Sequence, residues 1–146
     1  MRALTERVEI HATKEAVWDA LADFGGVADW APYMKTSHLI GDVETGIGTR
    51  RGMRHAWGFR FEETVTRWDE GVCYSFDVLK APYPLRDVRE SWAPGMENGF
   101  PTVTTQVNYD MILGPIGLLL DWLLVRFVVK REMRAGLRGL KQYIER

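Results

Sequence analysis

The sequence predicts an α+β fold, with one antiparallel sheet of about seven strands, two short helices after the first strand and a long C-terminal helix. Three observations predict it. Apolar and polar residues alternate over residues 4–10, which is typical of a half-buried strand. The same period of two returns between residues 36 and 113, where short turn signals indicate an antiparallel meander. From residue 114 onward, apolar residues recur every three or four positions, as in a helix packed on a core.

The two short helices are predicted immediately after the first strand. Thr13 is a favourable N-cap, and the apolar residues that follow it have helical spacing until Gly25 and Gly26. A second helical turn is predicted over residues 27–30. It must end before Pro32, because proline disfavours the helical conformation of the residue before it.

Six further strands complete the predicted sheet. They cover residues 36–41, 48–54, 57–68, 72–80, 86–93 and 102–113. The turn signals between them are Thr45-Gly46, Glu70-Gly71, residues 82–84 and Pro94-Gly95. Because the connections are short, neighbouring strands are expected to pair antiparallel.

One hairpin can be given a register from the sequence. With Glu70-Gly71 as a two-residue turn, the predicted pairs are Asp69–Val72, Arg67–Tyr74, Val65–Phe76 and Glu63–Val78. One face of the hairpin then carries Phe59, Phe61, Val65, Tyr74, Phe76 and Val78, with Glu63 as its polar exception. By the same parity, Arg86 and Glu90 share a face with Trp92, and Arg51 and His55 share a face with Met53. The inner face of the sheet is therefore predicted to be apolar with scattered polar groups.

The C-terminal helix is predicted over residues 114–146, with Pro115 in its first turn. Its predicted inner stripe is Leu119, Trp122, Arg126, Val129, Met133, Leu137, Leu140 and Ile144, with Arg131, Glu132, Arg138 and Gln142 on the far side. Residues 116–129 are apolar nearly all round, but Asp121 and Arg126 offset the gain from inserting this segment into a bilayer, so no transmembrane span is predicted. Peripheral membrane contact and self-association remain alternatives for the excess apolar surface.

The composition excludes several classes of function. The net charge is −1 and no block of five like charges occurs, so a nucleic-acid partner is not expected. One cysteine and three dispersed histidines predict neither a disulfide nor a metal site, and no cofactor motif is present. No hydrophobic segment follows Met1, so we expect a cytoplasmic protein, folded as a single domain over residues 1–146 and present as a monomer or homodimer.

Several motifs carry a family resemblance. They are Ala16-Val17-Trp18 through Asp23-Phe24, Trp30-Ala31-Pro32, residues 46–51, Pro84-Leu85-Arg86-Asp87 and the closing helix. Together with the order of elements, they resemble the START-like SRPBCC superfamily, and most closely its polyketide cyclase/dehydrase and lipid-transport branch. The resemblance implies a helix-grip fold, in which a curved sheet wraps the long helix and a cavity lies between them.

Candidate site residues follow from this placement. Glu63 and Glu90 are candidate catalytic acids or bases, because a carboxylate facing a dry cavity has a raised pKa. Alternatively, each pairs with Arg51, Arg86 or Arg126 and has a structural role. The candidate ligand-binding residues are Trp30, Tyr33, His55, Trp57, Phe59, Phe61, Tyr74, Phe76, Arg86, Trp92, Tyr109, Trp122 and Arg126, although the aromatic residues among them could equally fill a core.

Three functions are compatible with these features. The first is the binding of a hydrophobic small molecule, such as a lipid, a quinone or a polyketide-like aromatic, in a cavity of about 300–1,000 Å³. The second is an enzyme that cyclises or dehydrates a polyketide-like substrate by general acid–base catalysis. The third is an interaction protein that uses the apolar half of the last helix.

Overall fold

The computed structural model describes residues 2–146 and confirms the predicted α+β architecture, with seven antiparallel strands in one curved sheet gripping a long C-terminal helix. The strands are β1 (Arg2–Glu9), β2 (Met34–Ile40), β3 (Arg50–His55), β4 (Arg60–Asp69), β5 (Cys73–Leu79), β6 (Leu85–Glu97) and β7 (Phe100–Met111). Their order in the sheet is β1-β7-β6-β5-β4-β3-β2. The first and second strands therefore lie at opposite edges, and the two short helices cross the sheet between them.

Those short helices are α1 (Lys14–Ala22) and a 3-10 helix (Phe24–Asp29). Thr13 caps α1 as predicted, because its Oγ1 accepts a hydrogen bond from the backbone N–H of Ala16 at 3.1 Å. Ser37 of β2 then holds the 3-10 helix: its Oγ accepts from the N–H of Ala28 at 3.0 Å and donates to a backbone oxygen of the same segment at 2.7 Å. The helices are thus fixed to the edge strand β2.

The C-terminal helix consists of α2 (Gly114–Leu120), a π-helical turn (Asp121–Val125) and α3 (Arg126–Glu145). Asp121 occupies the start of the π-helical turn and is 2 % exposed. Its carboxylate accepts a hydrogen bond from the hydroxyl of Tyr109 and forms an ion pair with Arg2, whose Nε lies 3.0 Å away. The wide turn is therefore tied to β7 and β1 by a buried polar contact.

The β4–β5 hairpin corrects part of the predicted register. The turn has three residues rather than two, so Asp69 pairs with Cys73, and Tyr74 pairs with Trp68 instead of Arg67. A register shift between Val65 and Arg67 then restores the predicted alignment, and the Val65–Phe76 and Glu63–Val78 pairs form as expected. Because the longer turn and the β-bulge offset each other, the predicted inner face is correct although the predicted turn is not.

The turn between β6 and β7 lies later than predicted. β6 continues through Pro94 and Gly95, and the chain reverses at Asn98 and Gly99, which have φ of 51° and 82°. Asn-Gly is favoured in two-residue hairpin turns because both positions need positive φ. Pro94 is tolerated within the strand because β6 pairs with β5 only as far as Trp92, which leaves that side of β6 open at Pro94.

A β-bulge near the start of β6 removes Arg86 from the inner face, where it was predicted to lie. Asp87 has φ of 51°, and the register with β7 shifts between Arg86 and Arg89. The extra residue reverses the alternation at this point. Val88 and Glu90 consequently keep the inner face, whereas the side chain of Arg86 is 57 % exposed.

The core lies between the inner face of the sheet and the helices. Its main cluster joins Trp18 and Leu21 of α1 and Phe24 of the 3-10 helix to inward residues of the central strands and to Leu137 and Leu140 of α3. A second cluster contains Val88, Val107, Tyr109, Met111 and Met133. The cavity described below has lining residues in both clusters.

A candidate ligand cavity between sheet and helix

An internal cavity of about 120 Å³ lies between the inner face of the sheet and α3. Val129, Glu132 and Met133 line it from the helix, and the loop after β5 lines it through Ala81 and Pro82. The remaining lining is mostly apolar and aromatic, with a few polar groups among it. Its volume is smaller than the sequence-based expectation of about 300–1,000 Å³ for a pocket that encloses a drug-sized ligand.

Nine of the residues singled out from the sequence line this cavity. They are Trp30, Tyr33, His55, Phe59, Phe61, Glu63, Glu90, Trp92 and Tyr109. Trp30 and Tyr33 precede β2, and Phe59 lies in the loop before β4. The others belong to strands β3, β4, β6 and β7. The helix-grip arrangement therefore brings together side chains that are distant in sequence.

Four other candidates from the strands and their connections lie elsewhere. Tyr74 and Phe76 face inward as expected, but Phe24 packs against both at ring-centroid distances of 5.7 and 5.5 Å, so they fill the core instead of lining the cavity. Trp57 lies in the β3–β4 connection and is 69 % exposed. Arg86 lines a different pocket, formed mainly by β5, β6 and the loop between them, because the bulge at Asp87 removes its side chain from the inner face.

The two helix candidates, Trp122 and Arg126, also lie outside the cavity lining. Trp122 is 61 % exposed, and the Nε atom of Arg126 is buried without a hydrogen-bond partner in residues 2–146. The prediction extended one α-helical stripe through the whole helix. A π-helical turn adds about one residue per turn, so the stripe of α3 cannot be continued back into α2 at α-helical spacing.

Glu63 has an arginine partner. The Nε of Arg51 donates to its Oε2 at 2.6 Å, and both side chains are 4 % exposed. Arg51 also donates to the carbonyl of Phe24 at 2.9 Å and lies over the Phe24 ring, 3.7 Å from its centroid. Burial raises the pKa of Glu63, whereas the charge and hydrogen bond of Arg51 act in the opposite direction. This geometry favours the alternative in which Glu63 pairs with an arginine and has a structural role.

Glu90 is in a different electrostatic situation. Its Oε1 accepts a hydrogen bond from Nε1 of Trp92 at 2.7 Å, but among residues 2–146 it has no ion-pair partner. Burial, followed by the nearby charge of Glu63, raises the pKa of Glu90 to about 8. A carboxyl group that is mostly protonated at neutral pH therefore faces the cavity.

His55 and Glu132 form a polar bridge from β3 to α3. Nδ1 of His55 accepts a hydrogen bond from the N–H of Trp57 at 3.1 Å, so the proton of the neutral ring lies on Nε2, 2.5 Å from Oε1 of Glu132. Sequence reasoning placed Glu132 on the solvent side of the helix, and this is wrong. A signal was present, because Glu132 lies one helical turn after Val129 and one before the buried Gly136.

Tyr33 closes the same end of the cavity. Burial raises the pKa of its hydroxyl well above the usual range, and the charges of Glu90 and Glu132 add to this effect. The helix approaches closely here: a Cβ on Gly136 would lie 2.8 Å from the Tyr33 hydroxyl, and one on Gly139 would collide with the carbonyl oxygen of Trp30. Sequence analysis missed these two glycines, although a pair of glycines three residues apart on one helix is a recognisable sign of close packing.

The His55–Glu132 bridge also separates the cavity from the surface. Tyr33, His55 and Glu132 line a second, outer pocket of about 250 Å³ as well, together with Trp57 and Arg131. The exposed Trp57 is therefore part of the outer pocket, next to the cavity.

Neither a metal site nor a membrane span is visible in residues 2–146. No group of three or more histidine, cysteine, aspartate or glutamate side chains is arranged to hold a metal ion within that range. No helix there is long and apolar enough to cross a bilayer.

Comparison with known proteins shows where this architecture occurs. The family described as "Polyketide cyclase / dehydrase and lipid transport" matches residues 1–145. No curated protein matches the sequence.

Three solved structures illustrate the fold. Ginseng major latex-like protein 151 from Panax ginseng has a TM-score of 0.81 at 11% identity, covering 97% of this chain and 96% of that one. XoxI from Bacillus cereus has a TM-score of 0.79 at 20% identity, covering 99% and 96%. The di-domain ARO/CYC StfQ from the steffimycin biosynthetic pathway has a TM-score of 0.80 at 14% identity, covering 98% of this chain and 50% of StfQ. Identities this low show a shared fold alone.

Proposed function

Because the chain belongs to the polyketide cyclase/dehydrase and lipid transport family, we propose that it binds a hydrophobic small molecule in the cavity between the sheet and α3. The proposed ligand classes are lipids, quinones and polyketide-like aromatics. The observation that carries the proposal is the cavity itself, which has an apolar and aromatic wall with a few convergent polar groups. That combination is typical of small-molecule sites, where apolar burial gives affinity and polar groups fix orientation.

The size of the cavity limits what it encloses in this conformation. A cavity of about 150 Å³ in another protein holds one benzene molecule, so 120 Å³ suits a single ring or a short chain. A larger ligand would extend past the His55–Glu132 bridge into the outer pocket. In the proposed binding mode, a small apolar end of the ligand therefore lies inside the cavity, and the rest of the ligand extends toward Trp57.

The polar groups suggest how a ligand would be oriented. With its pKa near 8, the carboxyl group of Glu90 carries a proton at neutral pH and can donate it in a hydrogen bond. Tyr33 likewise stays protonated, because its pKa is raised. Both groups suit a ligand that carries a carbonyl oxygen.

Native mass spectrometry of gently purified protein tests the binding proposal, followed by denaturation and identification of any released molecule. Val129→Phe should reduce occupancy, because it fills the cavity from α3. Val43→Phe is the matched control, since Val43 is an exposed valine on the β2–β3 connection and lines neither the cavity nor the outer pocket. An empty protein that stays empty after incubation with lipids, quinones and aromatic polyketides would contradict the proposal, as would equal occupancy of the two variants.

A second candidate function is a cyclase or dehydratase, and the unpaired Glu90 is the observation that favours it. A general base is most effective when its pKa is close to the working pH, and Glu90 meets that condition inside a cavity. It would remove a proton next to a substrate carbonyl, and the hydroxyl of Tyr33 would stabilise the resulting enolate oxygen. Glu63 suits this role less well, because Arg51 already occupies its carboxylate.

Glu90→Gln separates the two functions. The amide keeps the shape of the side chain and an oxygen that can accept from Trp92, so ligand binding should persist. Turnover of an aromatic polyketide substrate should fall by roughly 10²–10⁴ if Glu90 is the acid–base group. Glu63→Gln serves as the comparison, and a larger loss there, with the fold intact, would transfer the role to Glu63.

A further inference from the structure

The first half of the C-terminal helix exposes an unusual amount of apolar surface. We define the apolar patch as Ile116, Leu119, Trp122, Leu123, Leu124 and Phe127, whose side chains are each 56–66 % exposed. They span three helical turns, while the inward side of the same segment is held by the small Gly117 and by Asp121. A contiguous apolar surface of this kind marks an interaction site, because isolated exposed apolar residues are normal but clusters are not.

The charges on the same helix indicate which partner fits. Residues 114–146 carry seven lysines and arginines against three acidic residues, in a chain whose net charge is −1. One of the three acidic residues, Asp121, is buried against Arg2 and Tyr109 and contributes little to the surface. Lys130 and Arg131 follow directly after the patch. An apolar helix segment with an aromatic residue and adjacent basic residues is typical of a helix that lies in the interface of an anionic membrane.

A second copy of the chain fits this surface less well. Antiparallel pairing of two patches would set the turn containing Lys130 and Arg131 against apolar turns of the other copy. Parallel pairing would set it against the same basic turn. Either arrangement places charge where a homodimer interface is normally apolar, whereas an anionic lipid surface accommodates both parts of the helix.

The patch is also next to one end of the cavity. The backbone N–H of Ile112, just before the helix, donates to the carbonyl of Pro84 at 3.0 Å. That bond joins the start of the helix to the β5–β6 loop, whose Ala81 and Pro82 line the cavity. Tyr83, in the same loop, is 69 % exposed beside them. A surface that contacts the patch would therefore lie close to the cavity wall.

We propose that the apolar patch docks the protein on an anionic lipid surface, with the helix segment of residues 114–127 lying in the membrane interface. Trp122 and the leucines enter the boundary between headgroups and acyl chains, while Lys130 and Arg131 contact lipid phosphates. Docking in this orientation brings the β5–β6 end of the cavity to the bilayer. Exchange of a ligand with the membrane would rest on the proposed binding function, but the docking itself does not.

Vesicle co-sedimentation tests the docking, with vesicles of phosphatidylcholine alone and of phosphatidylcholine and phosphatidylserine in equal amounts. The wild-type protein should bind the anionic vesicles more tightly. Leu119→Glu with Leu123→Glu should weaken that binding at least roughly tenfold, because each leucine loses apolar burial. Lys130→Gln and Arg131→Gln should each weaken it about five-fold, and only on the anionic vesicles.

The matched control is Ile47→Glu with Val72→Glu, which adds the same charge at positions that are 68 % and 57 % exposed and lie outside the helix. This control should bind vesicles as the wild type does. Because all four positions are exposed, unfolding temperatures should be similar, which separates lost docking from lost folding. The conservative Trp122→Phe should reduce fluorescence quenching by brominated lipid, whereas Trp57→Phe should not.

Three outcomes would overturn the proposal. The first is that the wild type binds neither kind of vesicle. The second is that the control pair weakens binding as much as the leucine pair. The third is a dimer in the absence of lipid that Leu123→Glu converts to a monomer, which would assign the patch to a second copy. If the leucine pair loses vesicle binding but keeps the passenger seen by native mass spectrometry, ligand binding and docking are independent.

Discussion

Glu63 and Glu90 face the same cavity but differ in what lies opposite them on the neighbouring strands. In the register of β3 and β4, Glu63 is paired directly with Arg51. In the registers of β6, Glu90 is paired with Phe76 on one side and with Val107 on the other. Both carboxylates lie at strand positions that belong to an apolar face. The alternation of apolar and polar residues therefore cannot distinguish one carboxylate from the other. The cross-strand partners make one of them a structural ion pair and leave the other available.

This difference shows how the same residue type acquires two roles in one cavity. Burial disfavours the charged form of both carboxyl groups. At Glu63, a guanidinium that is itself held by the Phe24 carbonyl and ring offsets part of that cost, although burial still raises the pKa of Glu63. At Glu90 no cation forms an ion pair with the carboxyl group, the charge of Arg51 has only a minor effect, and the pKa rises to about 8. The predictions below test whether the partner, and not the burial, is what separates the two sites.

The largest effect is expected from removing the cation of the paired site. Arg51→Met should lower the free energy of unfolding by roughly 3–5 kcal/mol at pH 7, because Glu63 is left buried without its partner. Urea denaturation measures it. The matched control is the adjacent Arg50→Met, which breaks the exposed pair with Glu62 at 3.0 Å and should cost less than about 1 kcal/mol.

The double variant Arg51→Met with Glu63→Leu completes this test. Replacing both partners of a buried pair by apolar residues is often neutral, so the double variant should recover much of the lost stability. A double variant as unstable as Arg51→Met alone would mean that the hydrogen bond and ring contact of Arg51 with Phe24 matter more than its charge pair with Glu63.

The paired and unpaired carboxylates also show what the sequence could and could not predict. Period-two alternation identified the inner faces of β3, β4 and β6 correctly, because alternation depends only on the local chain. It failed for Arg86, since the bulge at Asp87 reverses the parity, which brings Leu85 to the cavity side and leaves Arg86 exposed. Cross-strand partners were predictable only for the β4–β5 hairpin. The Arg51–Glu63 pair needed a register across the four-residue connection between β3 and β4, which the sequence does not define.

The C-terminal helix repeats the same lesson at helical spacing. The stripe from Met133 to Leu140 was predicted correctly, because α3 is a regular α-helix. Trp122 was placed wrongly, since the π-helical turn before α3 depends on Asp121 meeting Tyr109 and Arg2 from distant strands. Glu132 was missed because its partner, His55, comes from β3. Site residues defined by local pattern were therefore found, and those defined by long-range contacts were not.

The second prediction concerns the unpaired site and its dependence on pH. The pKa of Glu90 is about 8 in the folded protein and about 4.3 in an unfolded chain, so the folded state binds more protons between these values. The wild type should therefore lose stability as pH rises through this window, and Glu90→Gln should not. At pH 9 the variant should be more stable than the wild type by roughly 1–3 kcal/mol, with little difference at pH 4.

Thermal or urea unfolding at several pH values measures this difference. Glu44→Gln is the matched control, because Glu44 is an exposed carboxylate on the connection between β2 and β3. It should show no pH-dependent difference of this size. A flat difference between Glu90→Gln and wild type from pH 4 to pH 9 would show that Glu90 is compensated after all, and the contrast with Glu63 would fail.

The smallest effect is expected at the third polar contact, the bridge between His55 and Glu132. The His55 side chain is 2 % exposed and that of Glu132 is 32 % exposed, so this pair lies between the fully buried pair and the surface pairs. Glu132→Gln should cost less than about 1 kcal/mol, because an amide oxygen still accepts the hydrogen bond from Nε2. Glu132→Leu should cost about 1–2 kcal/mol, because it leaves that buried N–H without an acceptor. Urea denaturation at pH 7 measures both variants. Equal costs for Glu132→Gln and Glu132→Leu would mean that the charge of Glu132, and not its hydrogen bond, holds β3 to α3. The His55–Glu132 bridge would then act as an ion pair, as Arg51–Glu63 does.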